Sequence, residues 1–376
     1  MTCEVAVMNN RGVAVAADSA VTLSAPGKVF NRAEKLFQFG TAPIAVMVYG
    51  NADMMGVPWE TVIKTFTQQR GDQRFDHVDQ YAQDLFRFIE QSYLLSQVTR
   101  QREQVQIIAR ACFCGIIVEI CEKISERKGI NQDPNPTILR TATKREIAAI
   151  LSEVIDEIDW GNIEDENIRI QCDQLLTQSA SYLHELEEEL EQEFFGSRDY
   201  LPERVKERIK NVCRHMYARS VESTQSGVVV MGIGESELFP VLIHYLVTGI
   251  IIDGNLHVVK LDEAQCDQPG LGYVFPFAQG KIIDMFFHGI HPDLFDKIPE
   301  ETKYNFAVEI RNYRQPLMEA VSALPLFELA QLAEALVNLT ALSARVSTAE
   351  QIESVGGPID VAVISKGDGF KWVKKS

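Results

Sequence analysis

The chain opens on two alternating runs. Val5 and Val7, then Val13 and Val15, occupy every second position on either side of the polar Asn9-Asn10-Arg11-Gly12. That pattern predicts a β-hairpin, with Gly12 where a positive φ is expected. Two further strands are read at Leu36-Phe37-Gln38-Phe39 and Ile44-Ala45-Val46-Met47-Val48, and then the period changes. Trp59, Val62, Ile63 and Phe66 recur at helical spacing up to a polar break at Gln68-Gln69-Arg70-Gly71-Asp72. A second helix is expected from about Asp76, with Tyr81, Leu85, Phe86, Phe88 and Ile89 on its apolar face. No strand is then readable until about Ser226, an interval far longer than a connection needs.

That interval, residues 96–225, reads as a helical insertion in a domain made of residues 1–95 and 226–376. Thr143-Lys144-Arg145-Glu146 is a capping-box pattern ahead of Ile147, Ile150, Leu151, Val154 and Ile158 on one face. Leu183, Leu186, Leu190 and Phe194 form an apolar stripe whose other faces carry Glu185, Glu187, Glu188, Glu189, Glu191 and Glu193. The plain reading is a solvated acidic face over a packed stripe, and the sharper one is a surface for a docking partner. Strands resume at Gly227-Val228-Val229-Val230-Met231 and at Ile250-Ile251-Ile252, where Asp253-Gly254-Asn255 marks a hairpin. Leu329, Leu332, Leu336 and Leu339 lay one stripe along a late helix, and Ile359 to Val373 reads as strand, tight turn and last strand.

Composition narrows the classes. A chain of 376 residues exceeds one average domain, and a net charge of −17 argues against a nucleic-acid surface, which needs a basic patch against phosphates. Seven scattered cysteines fit reduced thiols in a cytoplasm. Cys112, Cys114 and Cys121 lie among isoleucines without a paired zinc spacing and read as core. The apolar runs from Val105 to Cys121 and from Leu238 to Ile252 are short and interrupted, so buried elements are expected and no membrane span. His288, His291 and Asp293 are candidates for a metal set, but Gly289 and Pro292 predict that a helix ends between the histidines, which favours a structural loop. Gly232-x-Gly234 lacks the third glycine and the lysine of a nucleotide loop, so no cofactor is expected.

The candidate chemistry stands at the start of the chain. No basic stretch and apolar run precede the first strand, so the chain is expected to begin in structure. Removal of Met1 before the small Thr2 leaves a free α-amine beside the threonine hydroxyl. An α-amine titrates near pH 8, roughly, so Thr2 then carries its own base. Asp18 closes Ala16-Ala17-Asp18-Ser19, Lys35 leads the strand at Leu36, and Tyr49-Gly50-Asn51-Ala52-Asp53 follows the next strand. This order resembles the proteasome β-subunits and their bacterial relatives, members of the N-terminal nucleophile hydrolases. The resemblance covers about residues 2–95 and 226–376, keeps the spacing from Thr2 to Asp18 and reaches Lys35 with one inserted residue.

The resemblance implies an α+β, four-layer αββα sandwich of two antiparallel sheets, carrying the helical insertion. It makes Thr2 the nucleophile, its amine the proton shuttle, Lys35 the buried cation that eases deprotonation, and Asp18 the group that holds the lysine. Thr22 falls where the family binds substrate backbone, and Val21, Met47 and Asn51 where side chains line the specificity pocket. The oxyanion N–H falls on Tyr49, where the family has the first of two glycines and Gly50 keeps the second. Two further departures are Gly232-Ile233-Gly234 for a Gly-Ser-Gly turn, and Val355 for the serine before the paired glycines. Ser354 lies one residue early for that serine, and the family's supporting aspartate falls on Ile352, with Glu353 or Glu350 as its substitutes. The implied function is a threonine-type peptidase or amidase acting on a peptide or protein substrate. The alternatives are a non-catalytic scaffold or ring subunit and a small-molecule amidase. A homo-oligomer is expected, with an unfoldase or regulator docking on the insertion as the further partner.

Overall fold

The computed structural model describes residues 3–22, 29–30, 33–92, 98–129, 139, 142–157, 177, 180–196, 225–252, 255–268, 270–346 and 356–375. The chain divides into two compact units. The first comprises Met1–Ser92, Gln225–Val247 and Leu256–Ser376, and the second Tyr93–Thr224 with Thr248–Asn255.

In the first unit the opening hairpin forms as β1 (Cys3–Asn9) and β2 (Gly12–Asp18), paired from Asn9↔Gly12 to Glu4↔Ala17. Gly12 is not one of the glycines with positive φ. Its role is close approach, because a Cβ there would fall 2.3 Å from the Ile364 carbonyl oxygen. A short ribbon follows, β3 (Val21–Thr22) with β4 (Val29–Phe30), then β5 (Leu36–Gln38) and β6 (Ile44–Gly50). A second small ribbon, β7 (Asp53–Met54) with β8 (Val57–Pro58), leads into helices α1 (Trp59–Arg70) and α2 (Val78–Gln91). Beyond the second unit come β9 (Ser226–Gly232), β10 (Val241–Ile252), β11 (Asn255–Gln265) and β12 (Gly272–Ala278).

Two five-stranded antiparallel sheets result. One has the order β12-β1-β2-β13-β14, with β13 (Ile359–Ser365) and β14 (Gly369–Lys374) closing the chain, and the other β11-β10-β9-β6-β5. The period of two sorts their side chains. Val5, Val7, Ala14, Ala16 and Val361 face a helix layer, while Ala6, Met8, Val13, Val15, Met47, Val229 and Leu242 fill the space between the sheets. Both faces of β1 and β2 are therefore covered, and every residue of both strands is buried.

The outer layer on the first sheet is built from Lys281–His288 and Pro292–Phe295 (helices α6 and α7 in chain order), Glu300–Ala323 (α8) and Leu326–Val346 (α9). In α9 the buried stripe is Leu329, Ala330, Ala333, Leu336, Val337, Thr340 and Ala341, with Leu332 partly buried and Leu339 exposed. The leucine row thus runs obliquely to the packed stripe, because small alanines let the helix lie close on β1 and β2. On the second sheet, α1 and α2 bury Val62, Ile63, Phe66, Tyr81, Leu85 and Ile89. The architecture is α+β, two antiparallel sheets between helices.

The second unit has its own core. Helix α3 (Val98–Lys128) supplies Phe113, Ile117, Ile120, Cys121 and Ile124, α4 (Lys144–Glu157) supplies Ile147, Ile150, Leu151 and Val154, and α5 (Ala180–Phe195) supplies Leu190. The capping box is formed: Glu146 N–H donates to Thr143 Oγ1 at 3.2 Å, and Thr143 N–H donates to Glu146 Oε2 at 2.7 Å. Cys121 packs as core and Cys114 is half-buried. The acidic helix departs from a solvated face at Glu191, which is buried, while Glu193 pairs with Arg110 at 2.6 Å. Ile158 and the side chains of Leu183 and Leu186 lie outside the described residues. No described helix is long and apolar enough to cross a membrane.

Candidate active site at the Asp18 end of the sheets

At one end of the paired sheets three ionisable side chains are almost removed from solvent: Glu4 at 0%, Asp18 at 1% and Lys35 at 7% exposure. Asp18 ends β2, and Lys35 stands one residue before β5, on the other sheet. Lys35 Nζ donates to Asp18 Oδ1 at 2.6 Å and lies 3.3 Å from Glu4 Oε1. Asp18 also accepts two backbone bonds, from Cys3 N–H to Oδ1 at 3.1 Å and from Gly356 N–H to Oδ2 at 3.0 Å. One carboxylate therefore ties together the first strand, the lysine and the segment entering the last strand pair. Next to it Ser19 donates its N–H and its hydroxyl to the Pro358 carbonyl at 3.1 and 2.8 Å.

Thr2 lies outside the described residues, as do Val355, Ser354, Glu353 and Glu350. The neighbouring Cys3 thiol is pushed up to about 12, first by burial, against a lowering contact with Thr340, and then by the charges of Glu4 and Asp18. It stays protonated at neutral pH, so Cys3 offers no thiolate nucleophile.

The end of β6 borders this cluster. Val48 N–H donates to the Lys35 carbonyl at 2.9 Å, which sets Tyr49 and Gly50 one and two residues beyond that link. Gly50 has φ +84, and a Cβ there would fall 2.9 Å from the Gln225 carbonyl oxygen, so glycine is required on both counts. The Tyr49 ring does not lie toward β5 and Lys35. It crosses the neighbouring strand over Gly227, where a Cβ would fall 2.0 Å from the ring, and its hydroxyl bonds His244 Nε2 at 2.6 Å. His244 Nδ1 in turn lies 3.7 Å from Asp262. Burial first, then the charges of Glu4 and Asp262, push the Tyr49 phenol up to about 12. Burial lowers the His244 pKa, with Asp262 opposing the shift.

Asn51 follows β6, its N–H donating to the Gln225 carbonyl at 3.2 Å and its carbonyl accepting from Ser226 Oγ at 3.1 Å. Trp59 Nε1 donates to the same serine oxygen at 2.8 Å, which pins the turn to α1. Val21 and Thr22 form the ribbon strand β3, paired with Phe30 and Val29. Met47 is fully buried in the inter-sheet core beside Leu36.

One placement differs from the reading of the sequence. Gly232-Ile233-Gly234 stands at the far end of β9, where Ile233 N–H reaches the Pro43 carbonyl. Ser226 at the other end pairs with Gly50, and six residues of strand separate Gly232 from it, roughly 20 Å. The turn beside the start of β1 is Ala278-Gln279-Gly280: Cys3 pairs with Ala278, which takes the left-handed φ of +60 before α6 begins. Glu4 is a site residue that the sequence reading missed, because nothing in the local pattern shows that both sheet faces are covered.

Helix α6 ends at His288, with Gly289 left-handed at φ +71, and His291 Nδ1 instead accepts from Asp293 N–H to cap α7. Asp293 pairs with Lys281 at 2.9 Å. Among the described residues no group of metal-ligating side chains comes together.

No family model matches the chain, and none of the curated proteins matches it. Among solved structures the chain is similar to the Gly-1 mutant of Anbu from Hyphomicrobium sp. strain MC1, at 14% identity and a TM-score of 0.32, covering 100% of this chain and 86% of that one. It is also similar to Anbu, described as an ancestral beta-subunit, from Yersinia bercovieri, at 14% identity and a TM-score of 0.35, covering 100% and 88%.

Proposed function

We propose that the chain is an N-terminal-threonine hydrolase that cleaves peptide or related amide bonds through an acyl-enzyme on Thr2. The observation that carries this reading is the Asp18 carboxylate, which holds both Lys35 Nζ and the N–H of the peptide bond formed by Thr2 and Cys3. A buried ammonium is thereby fixed at the end of the strand that follows Thr2. Removal of Met1 exposes the threonine amine, and the Lys35 charge favours loss of the hydroxyl proton to it. The Thr2 oxygen adds to the substrate carbonyl, the C–N bond breaks, and the amine returns the proton to the leaving nitrogen. Water then repeats the sequence on the ester and releases the acid. The N–H of Tyr49 is the oxyanion donor in this scheme, and β3 with Thr22 is where a substrate strand adds.

The role of Tyr49 as donor is compatible with its bulk, since its ring is turned away from Lys35 onto Gly227. The same reading expects a homo-oligomer. Intact mass before and after treatment with a threonine-reactive β-lactone tests it. The expected result is loss of Met1 and one adduct that Thr2→Ala abolishes. A retained methionine, or a processed chain that never labels, overturns the reading in favour of a non-catalytic subunit.

A further inference from the structure

The mechanism above uses one carboxylate, but two converge on Lys35. On β1 the residues sharing the face of Glu4 are Ala6 and Met8, both at 0% exposure in the inter-sheet core. An acid at such a position costs desolvation, and burial of charge is tolerated where an opposite charge lies beside it. Lys35 reaches across to it from the second sheet, to 3.3 Å. Asp18 takes the hydrogen bond from Nζ at 2.6 Å, and Glu4, on the adjacent strand, stands at ion-pair distance, so two carboxylates face the same ammonium. The opposing residues on the flanking strands, Ala17 and Phe277, are apolar. Among the described residues, titratable groups facing Glu4 include Lys35, Asp18, Tyr49, whose phenol feels its charge, and the Cys3 thiol on its own strand.

We propose that Glu4 is a positioning residue of the site: as a second counter-ion of Lys35 it fixes the ammonium against β1 and sets the pH range in which the nucleophile works. This rests on the reading of Thr2 as nucleophile. A negative charge near a base stabilises its protonated form, so Glu4 holds the acid limb of the reaction at higher pH than Asp18 alone sets.

The first measurement is the pH dependence of β-lactone labelling. Glu4→Gln keeps the shape and removes the charge, and the midpoint of its acid limb is expected about one pH unit lower than in the parent. Glu4→Asp is expected to restore the midpoint. A group that only packs would change the yield or the maximum rate and leave the midpoint in place, which would overturn the proposal. The second measurement needs no labelling. In the parent, Glu4→Gln lowers the melting temperature, whereas in a Lys35→Met background, where Glu4 has lost its ammonium, the same change raises it. Equal effects in both backgrounds overturn the pairing. If the parent never labels, the Thr2 reading fails alone, and this cycle still decides the role of Glu4.

Discussion

The two ends of the stacked sheets solve the same problem differently. Each end places polar groups where the core closes. At the far end, Asn9 Nδ2 donates to the carbonyls of Val321 and Leu324 at 3.0 and 2.9 Å, and Lys366 Nζ donates to those of Gly234 and Glu235 at 2.8 and 2.9 Å. Those groups serve backbone carbonyls that close turns and helix ends, as a structural role requires. At the near end Lys35 is held by two buried carboxylates, and Asp18 is spent on a strand amide as well. Charge buried against charge is a poor way to gain stability, because desolvation offsets most of the attraction. Its concentration at one end is why the proposed function places the chemistry there.

The largest effect expected is at Lys35. Lys35→Met strands two carboxylates in the core, and breaking such a pair typically costs about 3–5 kcal/mol. Labelling of Thr2 is expected to fall about a thousandfold, in the range for loss of a group that supports proton transfer. Chemical denaturation together with the labelling rate tests both. A stable, fully reactive Lys35→Met would erase the contrast between the two ends.

Asn9→Ala is the matched change at the far end. It removes the side-chain donor from the Val321 and Leu324 carbonyls, the first of which keeps the Leu324 N–H at 3.3 Å, and is expected to cost about 1–3 kcal/mol. The labelling rate of the folded fraction should stay as in the parent. A rate that falls with stability would mean that the ends are coupled through β1.

How much of this was legible depends on what each residue's neighbours disclose. The alternation in β1, β2 and β6 and the helical spacing of α1 and α2 reveal the α+β class, because those periods survive burial on both faces. Asp18 and Lys35 were legible as a pair only through a resemblance carried by spacing. Glu4 was hidden because alternation tells which side a residue takes and not what covers that side. The Gly232-Ile233-Gly234 turn misled for a similar reason: a local glycine pattern does not reveal at which end of a strand it lies. The turn beside the start of β1, Ala278-Gln279-Gly280, carries a left-handed alanine, so no glycine pattern gave a sign of it.

The smallest expected effect concerns Tyr49, which stands between the two ends in character: its backbone N–H belongs to the proposed site and its ring packs against the core. Its partner His244 is desolvated enough that its pKa lies below the ordinary 6.5. Unfolded, the imidazole takes a proton as pH falls through about 6.5, while folded it resists until lower pH. The unfolded state then binds more protons, so stability is present above that value and declines as pH drops toward the folded pKa. His244→Gln should flatten the fall of melting temperature between about pH 7 and 5.5. Asp262→Asn, which removes the charge favouring protonation, should steepen it. Tyr49→Phe, by contrast, deletes one hydroxyl bond worth about 1 kcal/mol and leaves the backbone N–H, so labelling should change by less than about tenfold. A much larger loss would mean that the hydroxyl itself takes part, and that the ring packed over Gly227 belongs to the chemistry and not to the core.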